Sequence, residues 1–411
     1  MKPTVILTIL VLATQSFAAT PAETAVQQAM GNIAKQPSHY PYYNALAMAY
    51  ARRARETSDT AFYAKAEEAL KKSFALSPDN FDGLKVEAWL QLGRHEFAKA
   101  LETSTKLNHI SPDDVAVYGY LVDANVELGN YPSAVTAAQW MLDLKAGNVA
   151  GLVRAGYLRE LHGNFGGAVE VMQMAYDSTP LSETEDRAWL LTQMAHLALV
   201  SGDLEKAEEY AGGALTLFPD YHYALAALAQ VRAAQTRYAE AVTLLARRYA
   251  AAPHAENLYA LAEAQELADL KAEAKASFEK FELQSNAESG LADNSNHELI
   301  FYYVDHKSDP AKALEIARRE AARRQDVFTL DSYAWALAAN GDYKEAGAQL
   351  QKALAVGCKD PRLLFHAGAV AAHLHQIGKA ELYLKDAAGR HSREAADLLR
   401  TLSASAMAGA N

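Results

Sequence analysis

The chain has 411 residues, half of them hydrophobic, with 12 prolines, one cysteine and a formal net charge of −11. This composition excludes general disorder and a disulfide-stapled framework. An acidic chain with no clustered basic face also argues against nucleic acid and anionic lipid surfaces as partners.

Met1 to Ala18 reads as an export signal: Lys2 gives a positive start, Val5 to Leu12 is apolar, and Ser16-Phe17-Ala18 offers small residues for cleavage. The apolar run is too short to anchor a span, and no cysteine lies nearby to accept lipid. The expectation is a periplasmic or secreted protein with no membrane span in the mature chain. Beyond it, Tyr40, Tyr42 and Tyr43 precede a helix expected from about Asn44 to Glu56, and Thr57 to Thr60 form a polar turn. That tyrosine cluster either caps the open end of a core or rims a binding surface.

From here the sequence repeats. In Ser201 to Tyr221, SGDLEKAEEYAGGALTLFPDY, Gly202 breaks one helix, Leu204 opens the next, Ala207, Ala211 and Ala214 share a face, and Phe218-Pro219 ends it. Ala66, Ala100, Ala134, Ala168, Ala207, Ala241, Ala274, Ala313, Ala346 and Ala380 occupy one register, with gaps of 34, 34, 34, 39, 34, 33, 39, 33 and 34 residues. An aromatic or aliphatic residue stands three places earlier at Phe97, Tyr131, Phe165, Leu204, Tyr238, Tyr343 and Ile377, and Pro78, Pro112, Pro180, Pro219 and Pro253 close the second helices. A second small residue recurs twelve positions upstream at Ala88, Gly156, Ala195, Ala229, Ala262, Ala334 and Gly368, with Val122 and Phe301 as exceptions. Two helices approach closely only where a side chain is hardly larger than the backbone, so these pairs mark the crossing points of helical hairpins.

The five residues extra between Ala168 and Ala207 fall at Leu181 to Asp186, where Ser182 and Glu185 are spaced as a capping box and the first helix should gain a turn. Asn286 to Asn296, NAESGLADNSN, is a linker candidate between an array over residues 19–285 and another over 297–390. Residues 391–411 read as a cap helix and tail.

With this register the chain resembles the tetratricopeptide repeat (TPR) family over about Tyr42 to Arg390. The resemblance implies an all-α, right-handed solenoid of about ten helix–turn–helix repeats that binds peptides or proteins in its concave groove. The first helix of each pair would line that groove, placing Trp89, Asp123, Arg154, Tyr157, Trp189, His196, Tyr223, Gln230, Tyr259 and Trp335 on it. One subset of that family grips carboxylate tails with a Lys/Asn/Arg clamp. The matching positions here hold Asp82, Lys85, Asp123, Arg154 and Tyr157, without the paired asparagines.

Motifs for chemistry are sparse. His95-Glu96 lacks the second histidine of a zinc-protease helix, His373 and His375 stand too close to share a helical face, and no phosphate-cradling loop or nucleophile elbow occurs. No catalytic residues, metal site or cofactor are expected. Arg318, Arg319, Arg323 and Arg324 read as a solvated helix face, and Cys358 as a small apolar residue near a helix end or, if exposed, a crosslinking thiol. The function expected is a cell-envelope scaffold; an envelope polysaccharide module and a self-assembling structural protein are the alternatives. Replacing Ala207 by Leu should overpack its crossing and lower stability by roughly 1–3 kcal/mol in urea unfolding; an unchanged midpoint would contradict the register.

Overall fold

The computed structural model describes residues 20–57, 59, 61–291 and 294–409. The export segment at Met1 to Ala18 and two positions of the turn after residue 57 lie outside them. Helix α1 (Pro21–Lys35) comes first, and ten hairpins follow. The first five are α2 (Tyr40–Thr57) with α3 (Ala61–Leu76), α4 (Phe81–Gly93) with α5 (Phe97–Ile110), α6 (Val115–Glu127) with α7 (Tyr131–Leu144), α8 (Val149–Leu161) with α9 (Phe165–Ser178), and α10 (Thr184–Val200) with α11 (Leu204–Leu217). The second five are α12 (His222–Ala234) with α13 (Tyr238–Ala251), α14 (Ala255–Leu267) with α15 (Lys271–Glu288), α16 (Asn296–Phe301) with α17 (Pro310–Arg323), α18 (Val327–Ala339) with α19 (Tyr343–Leu354), and α20 (Pro361–His373) with α21 (Ile377–Gly389). A last helix, α22 (Arg393–Gly409), covers the end.

Each crossing alanine in the register is at most 1 % exposed. The upstream partners are as tightly held: a Cβ on Gly368 would stand 2.6 Å from Leu384, and one on Gly156 2.8 Å from Met172. Val122 is accommodated in a regular helix at 1 % exposure. Phe301 is not: α16 ends there and continues as a π-helical turn, Tyr302–His306, so the repeat with an aromatic at its crossing is the one whose first helix unwinds.

The hairpin turns explain the larger shape. Five residues before nine of the ten crossing alanines the chain takes a left-handed conformation, at His95, Gly129, Gly163, Gly202, Thr236, Asp269, Ser308, Gly341 and His375. A side chain is therefore tolerated there, yet repeats three, four and five all use glycine. The reason lies across the superhelix. A Cβ on Gly129 would stand 2.7 Å from the carbonyl oxygen of Gln325, one on Gly163 2.7 Å from that of Gly357, and one on Gly202 3.6 Å from that of Gly389. Turns of the third, fourth and fifth repeats thus meet the loops that follow the eighth, ninth and tenth. This edge-to-edge seam is bonded as well: Gln325 N donates to Glu127 O (3.0 Å), Val327 N to the Tyr131 hydroxyl (2.9 Å), and Arg390 Nη1 to Val200 O (2.6 Å). Nearer the N-terminus, Arg52 pairs with Glu183 at 3.0 Å and Arg55 with Asp186 at 2.5 Å, which ties α2 to the start of α10. The solenoid closes on itself, and its concave side becomes an interior.

Several expectations are corrected. Helix α1 was not foreseen, although Thr20 and Glu23 form a capping box at its start with Pro21 in its first turn. Tyr40, Tyr42 and Tyr43 lie inside α2 rather than before it. Ser182 and Glu185 form no capping box: α10 is capped at Glu183 without a side-chain bond, because the Glu185 carboxylate accepts from the Tyr221 hydroxyl and Arg55 instead. The added turn is present, α10 having 17 residues against 13 in α8. Helix α15 runs through Glu288, so the linker stretch begins helical, and Asn296 at its end is buried, donating to Ser289 O at 2.9 Å and Glu320 Oε1 at 2.6 Å. The arginine patch is not simply solvated, since Arg324 sits 3.5 Å from Glu127 across the seam and Arg323 donates to Leu291 O at 2.7 Å.

Alanine at either Gly163 or Gly341 must adopt the left-handed conformation, at roughly 1–2 kcal/mol. Only at Gly163 does it also strike the opposite edge, whereas nothing lies within 4 Å of Gly341. Gly163→Ala should therefore lose a further roughly 1–3 kcal/mol and show a larger radius of gyration by small-angle scattering; equal behaviour of the two variants would disconnect the glycine from the seam.

Candidate functional site

Closure turns the inward faces of the first helices towards one another, and the space between them is divided into cavities. One of about 330 Å³ is lined by Arg55, Trp89, His95, Tyr223, His254 and Glu256. A second, of about 290 Å³, has Asp123, Glu127, Tyr157 and Arg324 on its walls. The third is the largest of these interior spaces at about 550 Å³, between His196 and Gln230 on one side and Phe301, Asp331, Asp360 and Arg362 on the other. Repeats distant in sequence supply each wall.

The ten residues expected on the concave face divide accordingly. Trp89 and Tyr223 meet in the first cavity, Asp123 and Tyr157 in the second, His196 and Gln230 in the third. Their partners limit what they offer. Arg154 donates from Nε to Asp123 Oδ1 at 2.8 Å and to Gly119 O at 3.0 Å, so these two expected contacts neutralise each other. His196 Nε2 lies 2.8 Å from Glu160 Oε1. Trp189 is half-buried against the core of the fourth and fifth repeats. Tyr259, 3 % exposed, belongs to the core, with Phe281 at 5.1 Å and Phe278 at 5.8 Å between ring centres. Trp335 donates from Nε1 to Asp305 Oδ1 at 2.9 Å and stacks on His366 at 4.2 Å. Gln230 remains exposed.

Sequence reasoning missed the charged residues that face these cavities from the opposite wall: Arg55, Glu127, Glu298, Arg324, Asp331, Asp360 and Arg362. A signal existed for one, since α18, VFTLDSYAWALAA, carries a single charged residue, Asp331. It is 3 % exposed and bonded through Oδ1 to His366 Nδ1 at 2.8 Å. Burial governs the protonation of several of these groups. It pushes the Glu127 carboxyl up to about 7, helped by Asp326 and opposed by Arg324. Burial with Glu256 nearby does the same to Glu298, also up to about 7. His297, buried beside Arg324, is pulled down to about 3 and is neutral. Outside the interior, Cys358 is buried in the core around α18 and α19, and burial pushes its thiol up to about 12, so it is a packing residue.

No known family model matches the chain, and no curated protein matches it. Among solved structures it is similar to the human IFIT1 dimer with PPP-AAAA, at a TM-score of 0.52 and 13 % identity, covering 88 % of this chain and 86 % of that one. A monomeric mutant of IFIT1 with Gppp-AAAA gives 0.50 at 14 % identity, covering 89 % and 86 %. PilW, described as a type IV pilus biogenesis factor, gives 0.43 at 12 % identity, covering 49 % of this chain and 92 % of its own. At such identities the likeness is one of fold, and the fold is a solenoid of tetratricopeptide type.

The Glu127 carboxyl titrates near 4.3 in an unfolded chain and higher when folded, so the folded state holds its proton more tightly. Stability should fall as pH rises from about 4 to about 7 and then level off, leaving a deficit of about 1–3 kcal/mol at pH 8. Glu127→Gln removes that term: its melting temperature should match the wild type near pH 4.5 and exceed it at pH 8. A variant less stable at both values would mean that the pairing with Arg324 outweighs the burial.

Proposed function

We propose that this tetratricopeptide-type solenoid is a non-catalytic binding protein that holds an extended segment of a protein partner in its enclosed interior. One observation carries the reading: inward-facing aromatic and hydrogen-bonding side chains from repeats far apart surround cavities instead of filling them. A solenoid that needed its inner face only for stability would pack it with apolar side chains, since unfilled space and buried charge both reduce stability. The residues available for capture are Trp89, Tyr157, His196, Tyr223 and Gln230, each contributing modestly, with the aromatics as anchors. The export signal read at the N-terminus supports a partner in the cell envelope; no helix among the described residues is long and apolar enough to cross a membrane.

The test is affinity capture from a cell-envelope extract with residues 19–411, beside a Gln230→Trp variant that fills the largest interior cavity without cutting into the core. A discrete protein held by the wild type and reduced at least tenfold by the variant, at unchanged helicity and melting temperature, is the expected outcome. Equal retention by both would move the partner to the outer surface. Retention of polysaccharide, or of a 5′-triphosphate RNA added in parallel, would overturn the protein partner.

A further inference from the structure

The charges around the 550 Å³ cavity do not balance. Its deep cations each have an anion of their own. The Arg362 guanidinium stands 3.9 Å from Glu263 and 4.7 Å over the Phe301 ring, Arg390 Nε donates to Asp386 at 2.9 Å, and His196 is held by Glu160 at 2.8 Å. Arg393 and Glu394 at the mouth offset one another in charge. Three further carboxylates, Glu298, Asp331 and Asp360, line the cavity and share Arg362 at longer range, so anions are in excess. Glu298 has no cation within ion-pair distance among the described residues, its carboxylate being bonded only to a backbone N–H of its own residue. Asp360 spends Oδ1 on the amides of Arg362 (2.9 Å) and Leu363 (3.0 Å) at the start of α20, which leaves Oδ2. Asp331 is 3 % exposed and lines the cavity; His366 occupies Oδ1, and Oδ2 accepts no bond from the described residues. These oxygens open onto the cavity and are not sealed in the core, and in so confined a space a cation would replace the water they have lost.

Building on the reading above, we infer that this cavity takes an organic ammonium or guanidinium group, and that the partner segment delivers it as a lysine or arginine side chain. A long basic side chain suits the site in both parts. Its methylene stem lies along Leu199, Val200, Leu267 and Phe328, which are also on the walls, and its charged head reaches Glu298, Asp331 and Asp360. Burial, with Glu256 of α14 nearby, pulls the Glu298 proton up, opposed by Arg362 of α20 and Arg324 ahead of α18. A cation bound there restores the ionised form.

The probe is the fluorescently labelled peptide Ac-(Ala-Lys)4-NH2, titrated by anisotropy into residues 19–411, against the same peptide with every lysine acetylated and against spermidine as competitor. One peptide per chain should bind. Acetylation should weaken it at least tenfold, and Glu298→Gln by about tenfold, while Glu205→Gln on the exposed face of α11 changes it less than twofold. Asp331→Asn, which keeps the bond to His366, should weaken it similarly at unchanged melting temperature. Equal losses with Glu298→Gln and Glu205→Gln would reveal diffuse attraction to an acidic chain and overturn the site, as would equal binding of the acetylated peptide. Spermidine that binds tighter than the peptide and is equally sensitive to Glu298→Gln would overturn the basic side chain in favour of a free polyamine. If no cationic probe binds while the envelope partner is still captured and still blocked by Gln230→Trp, the charge inference falls alone; if both experiments are empty, the interior reading falls with it.

Discussion

The close helix crossing is the constraint on which the rest depends. With an alanine buried to within 1 % in every second helix of the register, the two helices of each hairpin can come near backbone contact, and small residues opposite most of them allow the same approach repeatedly. A nearly constant crossing makes a nearly constant step from one repeat to the next, and a constant step is a superhelix. The seam follows from that step. Repeats roughly five and a half units apart are brought edge to edge, and glycine appears at the turn where the edges touch.

How much of this was legible depended on range. The hairpins were, because a crossing residue writes its signature at a fixed period along the chain. The seam was not anticipated, although Gly129, Gly163 and Gly202 stood in the sequence at the place where other repeats carry His, Thr, Asp, Ser or, at Gly341, glycine; glycine in a left-handed turn is ordinary, and only the opposing carbonyls give these three another meaning. Helix α1 escaped for the opposite reason: its cap was visible in Thr20, Pro21 and Glu23, but it belongs to no period. Glu185 shows tertiary structure overriding a local rule. Spaced for a cap, its carboxylate is claimed by Tyr221 and Arg55, more than thirty residues away in either direction. The inner residues were identified by register, yet closure decided which of them face space and which, like Tyr259 and Trp335, face neighbours.

Closure also changes the electrostatics of the concave face. In an open groove carboxylates such as Glu127 and Glu298 would be hydrated and ordinary acids. Between facing walls they lose water, and their protons are held more tightly. The interior is therefore more selective than a groove of the same composition, since a group that enters must satisfy charges that solvent no longer serves.

Arrays of helical hairpins usually change length easily, because each unit touches only its neighbours and one more or one fewer leaves the others undisturbed. The glycine contacts between the third, fourth and fifth turns and the loops after the eighth, ninth and tenth repeats remove that freedom. Adding or deleting a single unit between them would set a Gly129 or Gly163 against the wrong loop along the whole edge. The number of repeats in this chain is thus a fixed dimension, like the circumference of a ring.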